Sequence, residues 1–110
     1  MVTAETAVVL PALLLVLLCA VAAVTVVGAQ LRCVDAAREG ARAAARGEPD
    51  RVVAELAGRI APRGAGTAVR TAGDRVRVTV SVEVSPLGPF PLRTRVSAEA
   101  VAQREPGELP

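Results

Sequence analysis

TAVVLPALLLVLLCAVAAVTVVGAQL, which occupies residues 6–31, runs for 26 residues without a charged side chain. As an α-helix rising about 1.5 Å per residue, it would be about 39 Å long, more than the ~30 Å hydrocarbon layer of a bilayer. The alternative, a buried helix of a soluble domain, would require the remaining residues of the 110-residue chain to cover it on every side. We therefore predict a membrane-spanning helix within residues 1–31, with lipid around it.

Two residues near the start of this helix have special properties. Pro11 removes the helical hydrogen bond to the carbonyl of Ala7, so we expect a kink there. Glu5 falls in the first turn, where the helix dipole favours an anion, and this alone accounts for an acidic residue. A carboxylate at the edge of a membrane is nevertheless costly unless a cation meets it, which makes Glu5 a candidate for an interaction with another chain.

Two targeting signals are alternatives to a permanent span. Val27-Gly28-Ala29 has small residues at the spacing of a signal-peptidase site, which would release an exported protein after Ala29, but the apolar run is longer than a signal-peptide core. A lipoprotein site at Cys19 is a weaker alternative, because Leu18 stands where a small residue should precede the cysteine.

The helix is expected to continue beyond the span. Residues 32–46, RCVDAAREGARAAAR, are alanine-rich and free of proline, and we predict a helical extension over residues 32–47 that ends at Gly47-Glu48-Pro49. Asp35 with Arg38 and Glu39 with Arg42 are spaced as i,i+3 pairs, which is typical of a solvated helical face.

The remaining chain predicts a small α+β domain over residues 48–103. An apolar stripe predicts a helix over residues 50–61, and three period-two runs predict strands over 67–72, 75–85 and 92–103. Valines alternate with polar residues through the middle run, as a half-buried antiparallel strand requires. The overall class is therefore α+β: a long apolar helix with its extension, a short helix and a three-stranded sheet. Residues 104–110 are predicted to form a disordered tail.

The composition excludes most chemistry. There is no histidine, so neither a Ser-His-Asp triad nor an imidazole metal ligand exists, and no glycine-rich phosphate loop is present. The net charge of +2 and the single aromatic residue, Phe90, argue against nucleic-acid binding. We predict a protein that is not an enzyme, with no cofactor, no metal site and no small-molecule substrate. Cys33, just past the span, is either a free thiol or the site of a disulfide to a second chain.

The N-terminus resembles that of a type IV pilin or pseudopilin. Met1-Val2-Thr3-Ala4-Glu5 is followed at once by an apolar helix, and Glu5 stands where that family carries its glutamate. With AAREGARAAARG at residues 36–47 and the valine-rich strands, the whole chain is similar to TadE-like minor pilins of the tight-adherence (Tad/Flp) systems.

The resemblance carries several implications. It implies processing by a prepilin peptidase after a glycine, with Met1 as the first residue of the mature protein. It also implies a structural role in assembling a pilus or related secretion apparatus, with membrane lipid, other pilin subunits and the assembly machinery as partners. An anchored binding module for an unrelated partner is the alternative.

The side of the membrane on which the domain lies is indicated by two conflicting features. Arginines follow the span at positions 32, 38, 42 and 46, which by the positive-inside rule favours a cytoplasmic C-terminus. The pilin resemblance implies the opposite orientation, and we expect a single-pass protein of the cell membrane with an extracytoplasmic domain.

Overall fold

The computed structural model describes the backbone of residues 2–104 and the side chains of residues 3–104. Its elements, in chain order, are α1 (Val2–Ala45), α2 (Asp50–Ile60), β1 (Gly66–Ala72), β2 (Arg75–Val84) and β3 (Thr94–Gln103). The molecule measures 81 × 19 × 19 Å, because α1 extends far beyond the small domain that forms around its C-terminal third. The predicted α+β class, with a long apolar helix, a short helix and a three-stranded antiparallel sheet, is confirmed.

α1 is one uninterrupted helix of 44 residues that includes the predicted span from Val2 onwards and the predicted extension as far as Ala45. Arg46 and Gly47, which were predicted to belong to the extension, form the turn that follows it. It passes through Pro11 as helix. Its end has a Schellman motif: Gly47, with a φ of +87°, donates its N–H to the carbonyl of Ala44, and Glu48 donates to that of Ala43. Pro49 then directs the chain into α2, where its carbonyl accepts the N–H groups of Val52 and Val53.

The sheet has the strand order β1-β2-β3, and both pairings are antiparallel. β1 and β2 are joined by Gly73-Asp74; Gly73 has a φ of +63° and Asp74 has no positive φ, as in a type II′ turn. The middle strand alternates as the sequence predicts, with Val76, Val78, Val80 and Val82 buried against the helices.

The strand boundaries differ from those predicted at both ends of the connection between β2 and β3. β2 ends at Val84 rather than at residue 85, and β3 begins at Thr94 rather than at residue 92, so Leu92 lies outside the sheet and is exposed. Pro86 explains both differences, because the register would set it opposite Leu92 and proline has no N–H to donate to a strand pairing.

The core lies between the sheet and the extension of α1. Cys33 and five alanines of α1 are buried, together with Val53 and Ala57 of α2; the alanines are Ala36, Ala37, Ala41, Ala43 and Ala44. The largest fully buried side chains are valines and one cysteine, so this core is thin. The extension predicted as a solvated helical face is solvated on one side only, and its other side is the centre of the core.

Arg104, which was assigned to the predicted disordered tail, is held by the domain. Its Nε donates to the carbonyl of Ala44 at 3.3 Å, and its Nη2 donates to the carbonyl of Glu48 and to Asp50 Oδ1, both at 3.1 Å. The residue thereby joins the end of β3 to the turn between α1 and α2. Residues 105–110 of the predicted tail lie outside the described residues.

Candidate functional site

The N-terminal half of α1 exposes apolar side chains around its whole circumference. All residues from 3 to 21 are exposed, and leucines such as Leu13 and Leu17 leave more than half of their surface uncovered, at 59% and 58%. The most apolar window of this helix has a mean hydropathy of 3.0 and no buried residue. An apolar surface of this extent is not stable in water, so the helix indicates a single-pass membrane anchor.

The candidate assembly residue, Glu5, lies in the first turn of α1 and is exposed. Within the part of the chain that the structure describes, no ion pair to Glu5 is formed. The Glu5 carboxylate lies at the apolar end of the molecule, more than 60 residues along the chain from the first strand of the sheet. Met1, the predicted first residue of the mature protein, lies outside the described residues.

Cys33 occupies a position that does not suit a disulfide to a second chain. It is fully buried in the core, where α1 faces the sheet, and burial raises the pKa of its thiol above the usual value of 9.0. A partner thiol has no access to such a sulfur unless the domain opens, so of the two alternatives predicted for Cys33 the structure favours the free thiol over the disulfide to a second chain. Cys19 is exposed on the apolar half of α1.

The charged pairs predicted on the extension behave differently from one another. Arg42 Nη1 lies 3.3 Å from Glu39 Oε2, so that i,i+3 pair forms on the solvated side of α1. Among residues 3–104, the structure gives no ion pair between Asp35 and Arg38. Nor do three or more Cys, Asp or Glu side chains within this range come together as metal ligands would.

The junction between the anchor and the domain was not singled out from the sequence. Gln30 Nε2 donates to the carbonyl of Ser97 at 3.1 Å, which fixes the edge strand β3 beside α1. In the same part of α1, a groove is lined by the helix and by the end of β2, with Val24, Thr25 and Arg32 on one side and Val84 and Ser85 on the other. The hydrogen bond joins residues 67 positions apart in the chain, so no local sequence signal could have found this junction.

Comparison with known proteins places the chain in a family. A family model described as TadE-like protein matches residues 1–42, which contain the apolar helix and most of its extension. The apoptosis inhibitor Rv3655c of Mycobacterium tuberculosis (strain ATCC 25618 / H37Rv) is 41% identical over 103 residues, which cover 94% of this chain and 78% of that protein. No solved structure gives a significant match. The chain belongs to the TadE-like family.

Proposed function

We propose that this protein is a membrane-anchored minor pilin with a structural role in assembling a Tad/Flp type IV pilus or a related secretion apparatus. The observation that carries the proposal is the construction of α1, a single helix that is apolar and exposed at one end and the core of a small domain at the other. On this proposal the protein is not an enzyme and needs no cofactor. Its partners are lipid, other pilin subunits and the assembly machinery.

The exposed half of α1 suits both environments that a pilin helix must occupy. Lipid tails cover its apolar surface while the subunit waits in the membrane, and apolar helices of neighbouring subunits cover the same surface in a bundle. Lipid is as apolar as leucine, so helix association there depends on close packing and on polar contacts rather than on a hydrophobic driving force.

Glu5 is the polar group that fits this requirement. In an apolar bundle its carboxylate is costly unless it is paired, and the α-amino group at the first residue of an adjacent subunit is a cation of suitable reach once processing has exposed it. If Glu5 acts only on its own helix dipole, it contributes about 0.3–1 kcal/mol, as any acid in that turn would.

Substitution separates these two roles. Glu5→Gln keeps the size of the side chain and removes its charge, so we expect a membrane-inserted, folded protein that no longer co-purifies with partner pilins or supports piliation. Glu55→Gln, on the exposed side of α2, is the matched control and should behave as wild type. Wild-type co-purification and piliation by Glu5→Gln would refute the assembly role.

We further propose that the domain lies outside the cytoplasmic membrane. Because Cys33 is buried, the reporter must be placed elsewhere: Gly58 is exposed, and no atom lies within 4 Å of the position of an added Cβ. In a Cys19→Ala background, Gly58→Cys should react with a membrane-impermeant thiol reagent in intact cells whose wall has been stripped. Reaction only after lysis would show a cytoplasmic domain, as the arginines after the span favour.

A second candidate function is an anchored or exported binding protein that acts on an unrelated partner. The 41% identity to a protein named an apoptosis inhibitor, over most of both chains, favours this candidate. In the exported form of this candidate, the chain is cleaved after Ala29. The intact mass of the protein isolated from cells would reveal this cleavage. Against cleavage, α1 is continuous through Ala29, and Val26 and Ala29 both pack against the core.

A further inference from the structure

The connection between β2 and β3 is an apolar loop placed beside the membrane anchor. This loop, residues 85–93 with the sequence SPLGPFPLR, carries the single aromatic residue of the chain. Phe90 and Leu92 leave 60% and 53% of their surfaces uncovered, although neither belongs to the span. Among residues 3–104, the other exposed large apolar side chains are found on α1, apart from Val101 of β3.

Two contacts fix the height of this loop along α1. Gln30 bonds to Ser97, and Ala44 bonds to Arg104, so β3 runs in the same direction as α1 and beside it. Thr94 lies three residues before Ser97, which at about 3.3 Å per strand residue is about 10 Å nearer to the N-terminal end of α1. The groove shared by Val24 and Val84 confirms this level. The loop therefore begins beside Val24, seven residues inside the uncharged run.

The length of the anchor places the bilayer surface at the same level. From Thr6 to Val24 the helix has 19 residues and is about 28 Å long, which matches the ~30 Å hydrocarbon layer. The last residues of the uncharged run are then not needed to cross it. Val26, Gly28 and Ala29 are instead half-buried, and Val26 and Ala29 pack against the domain core.

The backbone of the loop is adapted to a poorly hydrated environment. Pro86, Pro89 and Pro91 have no N–H to leave unpaired. The N–H of Gly88 donates to the carbonyl of Ser85 at 3.2 Å, and that of Phe90 donates to the carbonyl of Leu87 at 3.5 Å. Of the nine backbone nitrogens in this segment, three thus carry no proton and two donate within it, which lowers the cost of leaving water.

Arginines line two grooves at the end of β2, where the apolar loop begins. Arg32 and Arg63 line the groove beside Val84, and Arg63 and Arg95 line a second groove next to it. All three are exposed, and the acid that shares both grooves is Glu83. Arginines at the level of the headgroups bind lipid phosphates through paired N–H donors.

We propose that residues 85–93 form a second membrane contact, in which Phe90 and Leu92 enter the interfacial layer while Arg32, Arg63 and Arg95 bind anionic lipid phosphates. The contact would hold the domain upright on the bilayer and prevent its rotation about α1. It rests on the membrane anchor and is independent of any role in a pilus.

The chain has no tryptophan, so a single introduced tryptophan reports on the loop. The full-length Phe90→Trp protein is reconstituted into phosphatidylcholine vesicles, with and without phosphatidylglycerol, and quenched by lipids brominated on the acyl chains. The matched control is Ala72→Trp, an exposed site at the other end of the sheet, about 30 Å away along the strands. We expect blue-shifted emission from Phe90→Trp and the loss of most of its fluorescence in vesicles of brominated lipid. The fluorescence of Ala72→Trp should not be quenched.

Two other results would overturn the proposal. Emission from Phe90→Trp that is as red-shifted and unquenched as that of Ala72→Trp would place the loop in water. Blue-shifted emission that brominated lipid does not quench, and that grows with the protein-to-lipid ratio, would instead show contact with a second copy of the chain.

The arginines are tested in the same assay. Quenching of Phe90→Trp should be stronger in vesicles that contain phosphatidylglycerol, and the added changes Arg32→Gln, Arg63→Gln and Arg95→Gln should remove this difference. Equal quenching in the two lipid compositions before those changes would refute the phosphate contact.

Discussion

Gly40→Ala adds one methyl group where α1 lies closest to the sheet. An added Cβ would stand 2.9 Å from Cγ1 of Val78, 3.4 Å from Cβ of Ala57 and 3.5 Å from Cγ1 of Val53. The first distance is shorter than carbon atoms tolerate, so either the helix or the strand must move. Val78 is fully buried and β-branched, which leaves it few rotamers with which to avoid the contact.

Two opposing terms decide the sign of this change. Replacing glycine by alanine inside a helix stabilises it by up to about 1 kcal/mol, whereas overpacking a core costs about 1–3 kcal/mol. Because the three neighbours come from two other elements and two of them are fully buried valines, we take the upper half of that range. The expected net loss is about 1–2 kcal/mol, which for a domain of this size lowers Tm by about 4–16 °C.

Gly58→Ala is the matched control for helix propensity. It makes the same chemical change in α2, but nothing lies within 4 Å of the added Cβ, so it should raise Tm. Thermal unfolding of both full-length variants in detergent micelles, followed by circular dichroism, measures the difference. A Tm for Gly40→Ala equal to or above that of wild type would refute the close packing of α1 on β2.

Three further predictions concern the core. Val80→Asp puts a carboxylate into the fully buried face of β2 and should lower the free energy of unfolding by several kcal/mol, so the variant protein should not accumulate in cells. Ser81→Asp places the same charge on the opposite face of the strand, and this variant should accumulate. The reverse result would mean that the register is shifted by one residue. Cys33, studied in a Cys19→Ala background, should be alkylated far more slowly in the folded protein than in denaturant. The pKa of the Cys33 thiol is higher in the folded protein than the usual value of 9.0. The contribution of this thiol to stability should therefore be complete below pH 9.0 and should decline as the pH rises through the folded pKa. Thermal unfolding measured at a series of increasing pH values would test this.

The sheet was predictable because every second residue of β2 from Val76 to Val82 is buried, with the same alternation that apolar and polar residues show in its sequence. One face of β2 is buried, so alternation from Val76 to Val82 specifies both the strand and the side that faces the helices. The end of α1 was equally predictable, since Gly47 supplies the positive φ that the Schellman motif requires. These elements depend on local backbone rules, which a single sequence carries.

The core face of α1 was not predictable by the same route. Alanine is common on both exposed and buried helical faces, so Ala36, Ala37 and Ala44 carry no signal that separates core from surface. Gly40 has a role only because Val78 approaches it from a strand 38 residues away. The junction at Gln30 and the clamp formed by Arg104 likewise arise from long-range contacts, which local patterns do not encode.

The continuity of α1 explains how so thin a core can hold a fold. A separate helix over residues 32–45 would have to be nucleated, which is unfavourable for a segment of that length in water. In a bilayer the span must already be helical, because its backbone N–H and carbonyl groups have no other partners. The extension then only elongates a formed helix, and its small side chains let β2 and α2 approach closely around Gly40. The span and the domain are therefore one folding unit, and part of the domain's stability comes from the membrane that holds its first helix.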